Sequence, residues 1–226
     1  MNIQIVGLPS HAGALFEGTE IAPQAIREAG LVRKLAEVGF SVDDMGDLLT
    51  GQPLPRHNIS PVRNWPAPRM VWDEIDDRAE EIFQKDFTIL LGGDCSIEVG
   101  TFHAFRKIYG QESHLLVLDG HVDTMKPKGE TCIGAAGMGL WFLLHDEKIW
   151  CKEDSISSNC VSIIGPTDVS EVEEQIKILP YDQLTASNYL SIVQDHLNSI
   201  SAESILVHLD VDVLHKSIMP AAYAPS

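Results

Sequence analysis

The sequence predicts an α/β fold of three layers, a mostly parallel central sheet covered by helices on both faces. Short apolar runs of strand length alternate with amphipathic stretches of helical period from end to end. The strand-like runs are nearly continuous in Val, Ile and Leu, as expected of strands buried on both faces. Several of them close on glycine or aspartate. At 226 residues the chain is long enough for one sizeable core and short for two, so residues 1–226 are expected to form a single domain.

The first strand is expected over residues 2–8, and Ala22-Pro23 then opens a helical stretch to about Val38 that Gly39 ends. Residues 41–44 suit a short strand. Five prolines between Thr50 and Pro68 make that stretch an irregular surface excursion. A helix over about 70–84 leads into the strand Phe87-Thr88-Ile89-Leu90-Leu91, closed by Gly92-Gly93-Asp94, and another helix runs from near Ser96 to Tyr109. The pattern continues with a strand at 114–119, a glycine-bearing loop over 120–136 and a helix at 137–145. A strand at 160–164, helices around 169–177 and 188–199, and a strand at 204–210 complete it. In open α/β sheets ligands bind beyond the carboxyl ends of strands, which is where Asp94, Asp119 and Asp210 fall.

Sixteen Lys and Arg against 33 Asp and Glu leave a formal charge of −17, which argues against nucleic acid or an anionic membrane as partner. An acidic surface aids solubility, and the same field steers cationic substrates or divalent metals toward the protein. No run reaches the roughly 18 apolar residues of a membrane span, and the chain begins without a signal peptide's basic start. A cytoplasmic location is expected. The four cysteines, Cys95, Cys132, Cys151 and Cys160, have no paired spacing, so free thiols are expected.

Two runs carry the chemistry. Leu115-Leu116-Val117-Leu118 is followed by Asp119-Gly120-His121-Val122-Asp123, and an extended backbone would point Asp119, His121 and Asp123 the same way. Leu206-Val207-His208-Leu209 is followed by Asp210-Val211-Asp212, with its two carboxylates likewise two residues apart. Oxygen-rich ligands at two strand ends suggest a binuclear metal site.

Together with Gly92-Gly93-Asp94-Cys95-Ser96, these runs resemble the three ordered signatures of the arginase family, the ureohydrolases that include arginase, agmatinase and formimidoylglutamase. The resemblance covers essentially the whole chain. It implies two divalent ions, Mn²⁺ in the family, with a bridging hydroxide attacking a guanidino or amidino carbon. Asp119 and Asp210 would bridge the ions, His121 and Asp212 would complete one, and Asp123 with Cys95 the other. Asp123 would also carry the catalytic proton to the departing amine, and Asp94 would fix its loop. A small cationic guanidino or amidino substrate is implied, and the fold analogy adds a homo-oligomer.

The chain departs from the family pattern at four places. Cys95 stands where the family has histidine; as a thiolate ligand it would favour Ni²⁺, Zn²⁺ or Fe²⁺ over Mn²⁺, and as a packed thiol it would bind nothing. Ala136 falls where a histidine relays protons in arginases and agmatinases, leaving that role to another group such as His145 or to a different reaction. His215-Lys216 replaces an Asp-Pro pair; His215 reads as a surface-loop residue and His208 as a core histidine. The sequence closes at Ala224-Pro225-Ser226, before the family's further strands and helices and their substrate-clamping glutamate, so a C-terminally shortened family member is expected. Alternatives to C–N hydrolysis are a non-catalytic structural or regulatory homologue and a deacetylase-like amide hydrolase.

Overall fold

A computed structural model describes residues 1–49, 54–145, 156–170, 172 and 175–220. Cys151, the start of the proline-rich stretch and Ala224-Pro225-Ser226 lie outside those residues. The chain forms two compact units, Met1–Ile108 with Met125–Gly139, and Tyr109–Thr124 with Leu140–Ser226.

The first unit is built on a three-stranded sheet of order β2-β1-β3, formed by β1 (Asn2–Leu8), β2 (Ser41–Asp47) and β3 (Phe87–Gly92). Both pairings are parallel, so each return of the chain needs a crossover. Helices α1 (Ala22–Glu28) and α2 (Leu31–Glu37) make the first return, and α3 (Ala67–Asp77) and α4 (Ala79–Ile82) belong to the second. Ile3, Ile5 and Leu91 are buried under Leu31, Val32, Leu35 and Phe40. One helix was expected over 22–38, but Gly30 takes φ 89° between α1 and α2, a left-handed turn that glycine adopts without steric cost. The next expected helix is likewise split, α3 ending at Arg78 before α4. Helix α5 (Ile97–Tyr109) follows β3 and buries Val99, Phe102 and Ala104.

The second unit has a four-stranded sheet of order β6-β5-β4-β7, every pairing parallel. Its strands are β4 (Ser113–Leu118), β5 (Val161–Ile164), β6 (Lys177–Leu179) and β7 (Ser204–Leu209). Leu116, Ile164 and Leu179 are buried against Leu184, Ile192 and Val193, the last two on α7 (Tyr189–Asn198). Helix α6 (Gly139–Leu144) matches the expected helix there, preceded by a 3-10 turn over Ala135–Met138. The expectation of a helix at 169–177 is corrected in part. Residues 171, 173 and 174 lie outside the described residues, and the remaining ones there are not helical. Lys177-Ile178-Leu179 instead pairs with Ser162-Ile163-Ile164, and Pro180 follows at once, a residue that cannot donate to a ladder.

Candidate metal centre

Strands β4 and β7 are adjacent and in register, Leu118 opposite Leu209. Asp119 and Asp210 therefore leave the sheet side by side. The Asp210 amide still donates to the Leu118 carbonyl at 2.9 Å, and the Asp119 amide to the Ile164 carbonyl at 3.2 Å.

Beyond those points neither run stays extended. Asp119 Oδ1 accepts the His121 amide at 2.7 Å, an Asx-type turn that bends the chain at Gly120. Asp210 Oδ1 accepts the Asp212 amide at 2.8 Å and caps a 3-10 turn over Val211–Val213. The two turns then hold each other: Asp212 Oδ1 accepts the Gly120 amide at 3.1 Å, and its Oδ2 lies 2.8 Å from His121 Nδ1. Strand alternation was expected to gather these ligands; two short polar turns do so instead. Asp123 takes φ 46°, a left-handed conformation uncommon outside glycine, and its carbonyl accepts the Leu140 amide at 3.1 Å.

Asp119, His121 and Asp212 each offer a ligand atom within 4.8 Å of the others. Asp119 is only 2% exposed. Burial, with the charges of Asp210 and Asp212 added and hydrogen bonds from His121 opposing, pushes its pKa up to about 6. Burial and the Asp119 and Asp210 charges lift Asp123 well above its ordinary value. His121 Nδ1 lies 3.7 Å from Asp119 and 2.8 Å from Asp212, and those two carboxylates raise its pKa to about 10. At Asp212 burial works upward, yet hydrogen bonds from His121 and the Gly120 amide bring the net shift below the ordinary value. Two carboxylates thus flank the imidazole, and Asp123 and Asp210 add their charge to the cluster. Such a site is costly without a cation and suited to a hard divalent one.

Cys95 belongs to the first unit, half-buried in the turn after β3. Its neighbour Asp94 is buried and fixes that turn as expected: Oδ1 accepts from the Ser96 amide and hydroxyl, and Oδ2 from the Ser10 hydroxyl and the Gly13 amide. In the same unit the Ala136 amide donates to the Gly13 carbonyl at 3.2 Å.

The remaining histidines divide as follows. His145 stacks on Trp141 at 5.0 Å, with Nδ1 3.1 Å from the Trp141 carbonyl. His215 lies in an exposed turn beside Ser217. His208 is half-buried on β7, its pKa lowered by burial against the pull of Asp210 and Asp212. Sequence reading passed over Gly165, at φ 108°, where a Cβ would sit 2.8 Å from Val213 and 3.1 Å from the Asp119 carbonyl. The Gly165-Pro166 pair closing β5 was the available signal.

A model of the arginase family matches residues 1–226. The chain belongs to the arginase family. It is 26% identical to the arginase of Brevibacillus brevis, over 94% of this chain and 75% of that protein. It is 28% identical to arginase-1 of Xenopus laevis, over 99% of this chain and 76% of that protein. The arginase structure from Bacillus cereus superposes with a TM-score of 0.81 at 25% identity, covering all of this chain and 80% of that one. Formimidoylglutamase from Bacillus subtilis superposes at 0.72 with 20% identity, covering all of this chain and 69% of that one. This arginase-family chain therefore has the three-layer α/β/α fold expected from its sequence.

Proposed function

We propose that the chain is a metal-dependent hydrolase of linear C–N bonds in small guanidino or amidino compounds. The observation that carries this reading is the gathering of Asp119, His121 and Asp212 within 4.8 Å at paired strand ends, in a family of such hydrolases. The donor set fits the ions. Carboxylate oxygens with one imidazole suit two hard divalent cations such as Mn²⁺, and the upward shifts of Asp119 and Asp123 mark the like-charge crowding that cations would relieve. When bound, the ions supply Lewis acidity and a nucleophile at neutral pH for attack on a poorly electrophilic carbon.

The chain's own residues divide the remaining work. Asp119 and Asp210 would hold both ions, and His121 with Asp212 would complete one. Asp123, on its motif position, would complete the other ion and carry a proton on an Oδ atom to the leaving nitrogen. On its motif position alone, the Cys95 thiolate would join the ligand set and shift metal preference toward Ni²⁺ or Zn²⁺. The acidic surface, with a formal charge of −17, favours approach of cationic substrates and metals.

The test is metal reconstitution with Mn²⁺, Ni²⁺ and Zn²⁺, elemental analysis, and assay of product release from arginine, agmatine, guanidinobutyrate and formimidoylglutamate. Two ions per chain and turnover of at least one compound are expected, with turnover lost in Asp123→Asn. Absence of metal binding sinks the reading.

A further inference from the structure

The first unit carries an open surface cavity of about 400 Å³ lined by Leu15, Phe16, Arg56, His57, Asn58, Arg63 and Asn64. Its character runs against the molecule around it. In a chain of net charge −17, this cavity brings together two guanidinium groups and two carboxamides.

The walls are fixed by a closed loop. The His57 amide donates to Asn64 Oδ1 at 3.0 Å, and the Asn64 amide returns to the His57 carbonyl at 3.0 Å. Asn64, 3% exposed, also donates from Nδ2 to the Ala12 carbonyl. His57 Nδ1 accepts the Ile59 amide, and Nε2 lies 2.6 Å from the Trp65 carbonyl, to which it donates. The Arg63 amide donates to the Ile133 carbonyl at 2.8 Å, and the Ile133 amide to the Pro61 carbonyl at 3.3 Å. The loop is tied down on both sides of Arg63.

The two cations are differently served. Arg56 is paired with the Glu17 carboxylate. Arg63 donates from Nη1 to the Leu15 carbonyl at a long 3.3 Å, its Nε is shut off from solvent without a hydrogen-bond partner, and no acid pairs with it among the described residues, so the donors left to a ligand are those of its Nη atoms. A guanidinium presents a planar fork that matches carboxylate or phosphate oxygens, so one with donors to spare beside a second guanidinium is built for an anion. Leu15 and Phe16 add an apolar flank that suits a short organic chain. Arg56 already pairs with a carboxylate, that of Glu17, which lies outside the lining.

We propose that this cavity is a binding site for a small organic anion, held through its carboxylate or phosphate oxygens by Arg63 and Arg56, with Glu17 as an internal competitor. The site stands apart from the hydrolase reading and needs no metal. Succinate, inorganic phosphate and the neutral succinamide are titrated by calorimetry into the full chain without added metal, in wild type, Arg63→Gln, Arg63→Lys and Glu17→Gln. Saturable binding of succinate or phosphate but not succinamide is expected, the better of the two identifying the oxygen set. It should weaken about tenfold or more in Arg63→Gln, less in Arg63→Lys, and tighten several-fold in Glu17→Gln. Circular dichroism shows whether Arg63→Gln folds; if it does not, Arg63→Lys and Glu17→Gln carry the comparison. Absence of saturable binding of either anion up to about 10 mM in wild type and Glu17→Gln, or equal affinity in wild type and both Arg63 variants, overturns the proposal.

Discussion

Asp212 does more at the candidate metal centre than its motif position implies. Its two oxygens take the Gly120 amide and meet His121 Nδ1, so it both offers a ligand atom and orients another. Replacing it by Asn should lower metal affinity roughly 10- to 100-fold while leaving the chain folded, as read by titration with Mn²⁺. At Asp94 the expected loss is in stability. Its carboxylate takes four donors from Ser10, Gly13 and Ser96, and Asp94→Ala would leave them facing a buried void. Urea denaturation should register a loss of about 2–4 kcal/mol. The gathering of Asp119, His121 and Asp212 was legible because their chemistry recurs at fixed spacing beside apolar runs. Arg63 was not legible, since its setting depends on Leu15 and Ile133, far from it in sequence.

Among the elements, the strands were the more readable. Those buried on both faces, such as β4 and β5, announce themselves by unbroken apolar composition. The three-residue β6 is too short to show a period, and its pairing with β5 and the burial of Leu179 hold it. The motifs depart from strand alternation for a related reason. Asp119 and Asp210 are short polar side chains able to capture the amide two residues on, and that local bond outcompetes continued extension. Glycines make sharper predictions at this scale. An added Cβ on Gly93 would stand 2.0 Å from the Ser10 carbonyl oxygen, so Gly93→Ala should cost more than about 2 kcal/mol by backbone displacement. Gly30→Ala meets no backbone atom but must adopt φ 89°, and should cost about 1 kcal/mol. Thermal melts of the two variants separate a clash from a conformational penalty.

For the molecule as a whole, pH acts on stability through a histidine pair remote in sequence from the ligand motifs. His114 is buried with Nε2 2.8 Å from the Ser162 hydroxyl; burial, then the charges of His196 and Lys177, lower its pKa. His196, also buried, is lowered by burial and Lys177. Both folded values lie under the ordinary 6.5. Above that value folded and unfolded chains are equally deprotonated and the pair costs nothing; as pH falls below it the unfolded chain binds protons that the folded one resists. The pair's contribution to stability should therefore decline from pH 7.5 toward 5.5, against the opposite pull of Asp119 and Asp123, whose raised values favour the folded chain on acidification; the change in urea midpoint across that range should differ between wild type and His114→Gln in that direction. The no-membrane expectation has a bounded counterpart here, since no helix among the described residues is long and apolar enough to cross a bilayer. One further consequence lies in the hydrogen bonds that tie Asp119 to Ile164, Asp210 to Leu118 and Gly120 to Asp212. They make the turns that carry the candidate ligands the closing rungs of the β5-β4-β7 ladder, so a cation held there would act as a clasp on the end of a sheet. Hydrogen exchange at the amides of Asp119, Gly120 and Asp210 should then slow as Mn²⁺ is added, a record of occupancy that needs no substrate and no turnover.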